Sequence, residues 1–434
     1  MMEKLTLMQK LDNFANPVLV REIRQYMREL AVSSAILLTV LTVFTAVMVS
    51  TGNSGAGLYR LLSIALALML MIVSLTAGSR FAVERSGGDE LLFLTTLSPW
   101  RIVLGKFAAV MAASVLIWFL FLPFFAAAWA LRGVSMTSLA FAALEPMVWQ
   151  PPFAAMVLMV ASPKMRSGGR MAAPAGIALA LILLRIGALP RIATVAELVS
   201  PLAAAAALTL VELSLAQAAL VNPAGNRMPW PRLLGLVAVA VLTLISHWAT
   251  TVLFASTAVI AGLLAVVGSC EPLETPRRAL AESPHGLVPR IFHFLFAGGI
   301  ASAWVYSLAM TALVWCAGKH GADNLQQYTG VFFYAVFYTT LCWIIRRAVP
   351  ERGIFSRHPA LVPSLVATSV IAGSIAVIEI AGGDPGILLF FSPLELSYNA
   401  ECVRIGFISS LTLMAAAVLY SLPKAVAAAI KFKK

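Results

Sequence analysis

The residues of this sequence whose chemistry most needs explaining are charged or amide side chains inside long apolar segments. They are Glu145, Gln150, Arg185, Glu212 and Glu379. Because an ionisable group is costly inside lipid, such residues by default mark the pathway of a substrate or an ion. We treat these five as candidate pathway residues. The alternative is structural: they pair between helices, as Arg185 and Glu212 would if their helices are neighbours, or they reach the membrane surface.

Three prolines accompany two of these residues in one apolar segment. Pro146, Pro151 and Pro152 lie close to Glu145 and Gln150. Each proline frees a backbone carbonyl that lipid cannot satisfy. We therefore expect this helix to be bent, and to face a cavity or other helices rather than lipid.

The sequence offers no residues for catalysis or metal binding. No nucleophile can be combined with a base and an orienting acid, and no GxxxxGK phosphate loop followed by Ser or Thr occurs. The four cysteines, at positions 270, 316, 342 and 402, lack the paired spacing of a zinc or disulfide site. We predict that the chain is not an enzyme and holds no metal or cofactor.

The composition indicates a membrane protein. Of 434 residues, 60% are hydrophobic and 12% are charged, whereas soluble domains are about one-half apolar and about one-quarter charged. One crossing of the bilayer needs about 20 apolar residues, and such segments recur about twelve times. They lie near 31–50, 58–79, 107–131, 139–161, 173–190, 198–221, 233–248, 250–269, 293–317, 329–345, 361–381 and 402–422. The predicted fold is an all-α polytopic membrane protein, with an ambiguous span count near 233–269 and 387–401.

The net charge of +12 predicts an orientation rather than a nucleic-acid partner. With twelve spans and a cytoplasmic amino terminus, most of the 31 Lys and Arg residues fall in cytoplasmic segments, as the positive-inside rule requires. We therefore predict a multi-pass protein of the cytoplasmic (inner) membrane with both termini in the cytoplasm.

The two halves of the chain share a pattern of helix starts. Asn16-Pro17 precedes the first predicted span and Asn222-Pro223 the seventh, while Ser98-Pro99 and Ser283-Pro284 occupy equivalent loops. A duplication would explain the pattern, although proline also recurs at helix starts by chance. The predicted organisation is a cytoplasmic amino terminus with an interfacial helix (1–30), a first six-span unit (31–221) and a second six-span unit (222–434).

The segment before the first span is predicted to be an interfacial helix over residues 16–30. Asn16 is a favourable N-cap and Pro17 a favourable first helical residue. Apolar side chains recur at helical spacing on one face (Leu19, Ile23, Tyr26 or Met27, Leu30), and arginines lie on the other (Arg21, Arg24, Arg28). This is the pattern of a helix that lies in the headgroup plane of a membrane, and its alternative is an ordinary amphipathic lead-in without function.

A block of about twenty polar and basic residues, within 80–106, separates the second and third spans. Gly87-Gly88 interrupts the chain, acidic residues then favour a helix start, and Ser98 caps a helix that begins at Pro99. A short amphipathic helix at this position fits a groove in a soluble partner. The candidate docking residues are Glu84, Arg85, Asp89, Glu90, Leu91, Leu92 and Leu94.

Both segments resemble ABC-2 type transporter permeases. Asn16-Pro17, Arg21-Glu22 and Arg24 are similar to the elbow helix of that family. The order Glu84-Arg85, Gly88, Glu90-Leu91-Leu92, Leu94, Ser98-Pro99, Ile102 and Gly105-Lys106 is similar to the segment that carries its coupling helix. The resemblance covers roughly residues 13–130.

The resemblance implies the membrane-spanning subunit of an ATP-driven exporter. ATP would be bound and hydrolysed by a separate cytoplasmic ABC ATPase subunit that contacts the coupling helix. Membrane lipid and a second permease subunit, or a second copy of this chain, are further expected partners. Family domains usually have six spans, so twelve would mean a fused pair or one unit with extra helices.

Two other classes of function are open at this point. A secondary transporter driven by an ion gradient would suit twelve spans with buried carboxylates. A membrane assembly factor that transports nothing is the third reading. The substrate and the direction of transport do not follow from the sequence.

Overall fold

The computed structural model describes less than the whole chain. The described residues are 17–28, 41, 55–86, 98–130, 135–162, 195–221, 226–246, 256–257, 259–261, 263–264, 267, 286–319, 412 and 415. They are almost entirely helical and contain no strand. This confirms the predicted all-α class for the part of the chain that is described.

The chain divides into two compact units, Met1–Val221 and Asn222–Lys434. In the first unit the helices are α1 (Pro17–Arg28), α2 (Gly55–Ser86), α3 (Pro99–Ala130), α4 (Met136–Ala161) and α5 (Val195–Leu220). In the second they are α6 (Pro229–Ser246), α7 (Leu287–Phe296) and α8 (Ile300–Lys319). The prediction that each unit has six spans stays a prediction.

Side-chain caps fix two of the helix starts. Ser98 Oγ accepts a hydrogen bond from the Arg101 backbone N–H at 3.4 Å, and α3 begins at the next residue, as predicted. Ser135 caps α4 in the same way, accepting from the Ser138 N–H at 3.2 Å. Each cap satisfies a backbone donor that the first helical turn leaves without an intrahelical partner.

Three of the described helices are long and apolar enough to cross a membrane. The qualifying segments are Leu61–Arg85, Pro99–Ala130 and Leu198–Leu220. Their outer surfaces expose large apolar side chains: Ile64, Leu116 and Phe119 are 56%, 58% and 57% exposed. A protein in water would not leave such a surface uncovered. The chain is therefore a multi-pass membrane protein.

The helix α4 is long enough to span, at 26 residues, but it is not among these three. Glu145, Gln150 and three prolines lie within it. Its inner residues pack against α2 closely enough that a Cβ on Gly78 would lie 2.3 Å from Cγ1 of Val157. This part of α4 is therefore surrounded by helices rather than by lipid. The prolines predicted either a cavity or other helices, and the structure shows the second.

The segment predicted as a single span near 293–317 is divided in the structure. The helix α7 ends at Phe296 and α8 begins at Ile300. The segments Val288–Phe296 and Ala301–Met310 meet at 95°. The reason is local, because Gly298-Gly299 follows the end of α7. Gly299 has a φ of 135°, a backbone conformation that residues with a Cβ rarely adopt.

Five predicted spans lie outside the described residues apart from single positions. They are 31–50, 173–190, 329–345, 361–381 and 402–422. The span near 250–269 is described only in part.

Candidate functional site

A buried lysine joins the two segments that the sequence singled out. Lys106 lies in the second turn of α3, and its side chain is 4% exposed. Its Nζ donates to Oε1 of Glu22 at 2.5 Å and lies 2.7 Å from Oε2 of Glu84. Glu22 belongs to α1 and Glu84 to α2, so the ammonium group connects three helices. We call Glu22, Glu84, Lys106 and the neighbouring Arg21 the ion cluster.

The elements place these side chains by simple periodicity. Val18 and Glu22, one helical turn apart in α1, are both buried, so this face of the helix packs inward. Ile23 lies on the exposed side together with Arg24. The predicted division into an apolar face and an arginine face did not anticipate that Glu22 is buried or that Ile23 is exposed beside Arg24.

The last turn of α2 brings Glu84 to the same point. The helix continues past its apolar run to Ser86, so Glu84 and Arg85 lie on α2 rather than on a separate short helix. Arg85 Nη2 donates to the backbone carbonyl of Ala219 in α5 at 3.5 Å. One end of the first unit thus carries contacts among α1, α2, α3 and α5.

The charges of the ion cluster balance. Arg21 Nη2 lies 4.0 Å from Oε1 of Glu84, so two cations face two carboxylates. The Lys106 ammonium also lies 5.1 Å from the centre of the Phe81 ring, a distance at which a ring face attracts a cation. Buried charges are tolerated only when they are paired in this way.

Apolar packing brings the same ends of the helices together. Phe81 and Ala82 near the end of α2 pack with Leu158 and Ala161 at the end of α4, with Leu220 at the end of α5 alongside. Phe107, near the start of α3, also packs against this layer. The ends of α2, α4 and α5 and the start of α3 therefore lie at one end of the first unit.

The loop between α2 and α3 leaves and returns beside the ion cluster. The helices end at Ser86 and resume at Pro99; Glu84 lies in the last turn of α2, and Lys106 lies in the second turn of α3. The remaining candidate docking residues, Asp89, Glu90, Leu91, Leu92 and Leu94, lie outside the described residues, as does Asn16. Their role stays a prediction.

Gln150 is held in the helix interior. It is 2% exposed, and its Nε2 lies 2.9 Å from Ser74 Oγ in α2, 2.7 Å from Ser114 Oγ in α3 and 3.2 Å from the Leu70 carbonyl. The two hydroxyls each donate to a carbonyl of their own helix. A single amide thus connects three helices. This is the alternative to a pathway role that the sequence left open, in which the residue pairs between helices.

The other candidate pathway residues have different surroundings. Glu145 is half-buried in α4. Glu212 is buried in α5, and among the described residues its Oε2 has no hydrogen-bond partner. Arg185 and Glu379 lie outside the described residues, so the suggested pairing of Arg185 with Glu212 stays a prediction.

The sequence pointed to the segments of the ion cluster but not to the cluster itself. Lys106 was recognised only as part of a Gly-Lys pair, and Glu22 only as part of an interfacial helix. The available signal was a lysine directly before the apolar segment 107–131 and after the apolar residues 102–104, a position that favours a nearby counter-charge. Nothing in the spacing of 84 residues between Glu22 and Lys106 could name that partner.

Comparison with known proteins does not identify a family for this chain. No protein-family model, no curated protein and no solved structure matches this chain. Within the described residues, no group of three or more His, Cys, Asp or Glu side chains is placed to hold a metal ion.

Proposed function

We propose that this chain is the membrane-spanning subunit of an ATP-driven exporter of the ABC-2 permease type. It would have about twelve spans, in two six-span units, with both termini in the cytoplasm. A separate cytoplasmic ATPase would dock on the loop 87–97. ATP binding and hydrolysis there would move the loop and its adjoining helices between two arrangements.

The ion cluster is the observation that carries the proposal. Through Lys106 it joins α1 to the last turn of α2 and the second turn of α3, the two helices that flank residues 87–97. A docking segment whose flanking helices are joined in this way could transmit a movement of a soluble partner to several helices at once. An ordinary loop between membrane helices needs no such support.

The common end of the helices supports the proposed orientation. Phe81 of α2, Leu158 of α4 and Leu220 of α5 share one packed layer. The ends of α4 and α5 can lie on the same side only if the chain crosses the membrane an even number of times between them. The predicted span near 173–190 together with α5 provides two crossings.

Co-purification tests the proposal. The tagged chain, isolated from its native membrane in mild detergent, should retain a cytoplasmic ATPase. Leu91→Asp combined with Leu92→Asp should release it, because an apolar anchor at the centre of an interface carries about 2–4 kcal/mol per hot-spot residue. The matched control is Leu91→Met with Leu92→Met, which keeps the anchor apolar and should keep the ATPase.

Two outcomes would contradict the proposal. One is a wild-type complex from which no ATPase is ever recovered. The other is an ATPase that stays bound to the Asp variant when size-exclusion chromatography shows that variant to be folded. Either result would favour the second candidate function.

That second candidate is a secondary transporter driven by an ion gradient. The observation in its favour is Glu212, a buried carboxyl group whose Oε2 has no hydrogen-bond partner among the described residues. A carboxyl group in this state could bind and release a proton during transport. Such a transporter would retain no ATPase, so the same purification separates the two candidates.

A further inference from the structure

The second unit contains a right-angle junction between two helices. The segments Val288–Phe296 of α7 and Ala301–Met310 of α8 are inclined at 95°. The helix α8 has 20 residues, about 30 Å at about 1.5 Å per residue, which matches the thickness of the hydrocarbon core. If α8 crosses the membrane, α7 lies in the plane of the membrane.

Arg232 fixes the junction from a third helix. This residue is buried near the start of α6, and its Nη1 donates to the carbonyls of Leu295 and Ala297 at 3.0 and 2.5 Å and lies 2.9 Å from Ser302 Oγ. The last carbonyls of a helix have no intrahelical donor and carry partial negative charge. The guanidinium group therefore supplies both the donors and the charge that the end of α7 lacks.

Further hydrogen bonds hold the two sides of the bend. The backbone N–H of Gly298 donates to Oδ1 of Asn226 at 3.0 Å. Tyr306 of α8 donates its hydroxyl to the Arg232 carbonyl at 2.6 Å, and its ring lies 5.8 Å from the guanidinium carbon. A bend with so many specific partners is a built feature of the fold rather than an accidental break.

The helix α7 has the surface of an interfacial helix. Val288, Ile291 and Phe292 are 61%, 59% and 59% exposed, and their spacing places them on one face. Arg290, also exposed, projects about 200° around the helix from Val288 at about 100° per residue. An apolar face opposite a basic residue is what the boundary between acyl chains and headgroups accepts.

The start of α6 marks the level of the membrane at which the junction lies. Trp230 is 63% exposed and lies two residues before Arg232, which contacts the junction directly. Tryptophan is enriched where the hydrocarbon meets the headgroups. The chain thus places a tryptophan, the junction and α7 at one depth.

We infer that α7 is a lipid-binding helix that lies in the headgroup layer, with Val288, Ile291 and Phe292 among the upper acyl carbons. Arg290 faces the phosphates, and Arg232 is the residue that holds the helix at this angle. The partner of the exposed apolar face is the bilayer itself. This inference does not depend on the proposed function, because it uses only residues of the second unit.

Spin-label accessibility tests the position of α7. Single nitroxide labels are placed on cysteines at Ile291, Phe292 and Arg290 in a chain whose four native cysteines are alanine, reconstituted in vesicles of phosphatidylethanolamine and phosphatidylglycerol. Labels at 291 and 292 should collide with oxygen more than with an aqueous nickel chelate, at a depth of about 5–10 Å. The label at 290 should show the opposite preference.

Three results would overturn the inference. Nickel access at positions 291 and 292 would place the face in water. A depth near the centre of the bilayer would make α7 a re-entrant helix. Magnetic coupling between labels at position 291 on two copies would make the face an interface between chains.

Distance measurement tests the role of Arg232. Labels at Ile291 and at Ala309, which is exposed on α8, should give one narrow distance distribution when Arg232 is kept in the chain whose native cysteines are alanine. Arg232→Met should broaden it several-fold, and Arg232→Lys, which keeps the charge but loses the forked donors, should broaden it less. An unchanged distribution in a folded Arg232→Met variant would show that Arg232 does not set the angle.

Discussion

Replacing Lys106 with methionine should destabilise this protein more than any other single change in the ion cluster. Methionine preserves most of the length and volume of lysine but removes the charge. Glu22 and Glu84 would then face each other without the ammonium group that lies 2.5 and 2.7 Å from them. Arg21, 4.0 Å from Glu84 and 39% exposed, is too distant and too hydrated to replace it.

The size of the effect follows from burial. The side chains of Lys106, Glu22 and Glu84 are 4%, 6% and 16% exposed. Removing one partner of a buried ion pair typically costs about 3–5 kcal/mol, because the remaining charge stays buried. Glu84 retains some contact with solvent, so the lower end of the range, about 3 kcal/mol, applies here.

The carboxylate variants are the matched comparison. Glu22→Gln keeps an oxygen that can accept from Lys106, and the ammonium retains its bond to Glu84. This change should therefore cost about 1 kcal/mol, the difference between a hydrogen bond to a charged group and one to a neutral group. The triple variant with Lys106→Met, Glu22→Gln and Glu84→Gln has no buried charge and should regain most of the stability lost with Lys106 alone.

The free energy of unfolding is measured for four proteins: the wild type, Lys106→Met, Glu22→Gln and the triple variant. Each purified chain is unfolded at equilibrium in mixed micelles, and unfolding is followed by the fluorescence of its nine tryptophans. Two results would refute the reasoning. One is a Lys106→Met variant as stable as the wild type. The other is a triple variant no more stable than Lys106→Met, which would show that lost packing, rather than charge left without a partner, causes the damage.

Other changes give distinct expectations. Gln150→Leu should lower stability by only about 1 kcal/mol, since side-chain hydrogen bonds between membrane helices average about 0.6 kcal/mol, and a loss of transport at unchanged stability would instead make Gln150 a pathway residue. Gly78→Ala should cost about 1–3 kcal/mol of stability by overpacking against Val157. Combining it with Val157→Ala should restore part of that stability. A Gly78→Ala variant as stable as the wild type would contradict the close approach of the helices. Cysteines introduced at Ser135 and Gly168 test the proposed topology: an impermeant maleimide should label position 135 from outside and leave position 168 unlabelled, and labelling of position 168 would overturn the orientation.

Sequence reasoning could recover helix positions because each rests on local chemistry. Ser98 and Pro99 define the start of α3 by capping, and the apolar run after them defines its length. The same reasoning gave one span near 293–317, where the structure has a right angle. An apolar pattern shows that a segment avoids water, but it does not show whether the segment crosses the membrane or lies along it.

The ion cluster and the junction at Arg232 depend on tertiary contacts that no local pattern contains. Glu22 lies between Arg21 and Arg24 in the sequence, and that charge pattern favoured a solvated helix face. In the folded chain the periodicity of α1 turns Glu22 toward Lys106 instead. Arg232 follows Trp230-Pro231, and in the sequence it contributes only to the charge asymmetry that predicts the orientation.

The lengths of α2 and α3 explain how a membrane protein can hold this many charges in one buried cluster. Each helix has 32 residues, about 48 Å at about 1.5 Å per residue, whereas the hydrocarbon core is about 30 Å thick. The last turns of α2 and the first turns of α3 therefore extend toward the edge of the hydrocarbon, where charge is less costly. There α1 covers Lys106 and provides Glu22 as one of its two counter-ions. The amphipathic helix thus completes the cluster, and the cluster ties the last turn of α2 to the second turn of α3. Any motion that separates these helices from one another would have to separate Lys106 from its carboxylates, at a cost of about 3 kcal/mol.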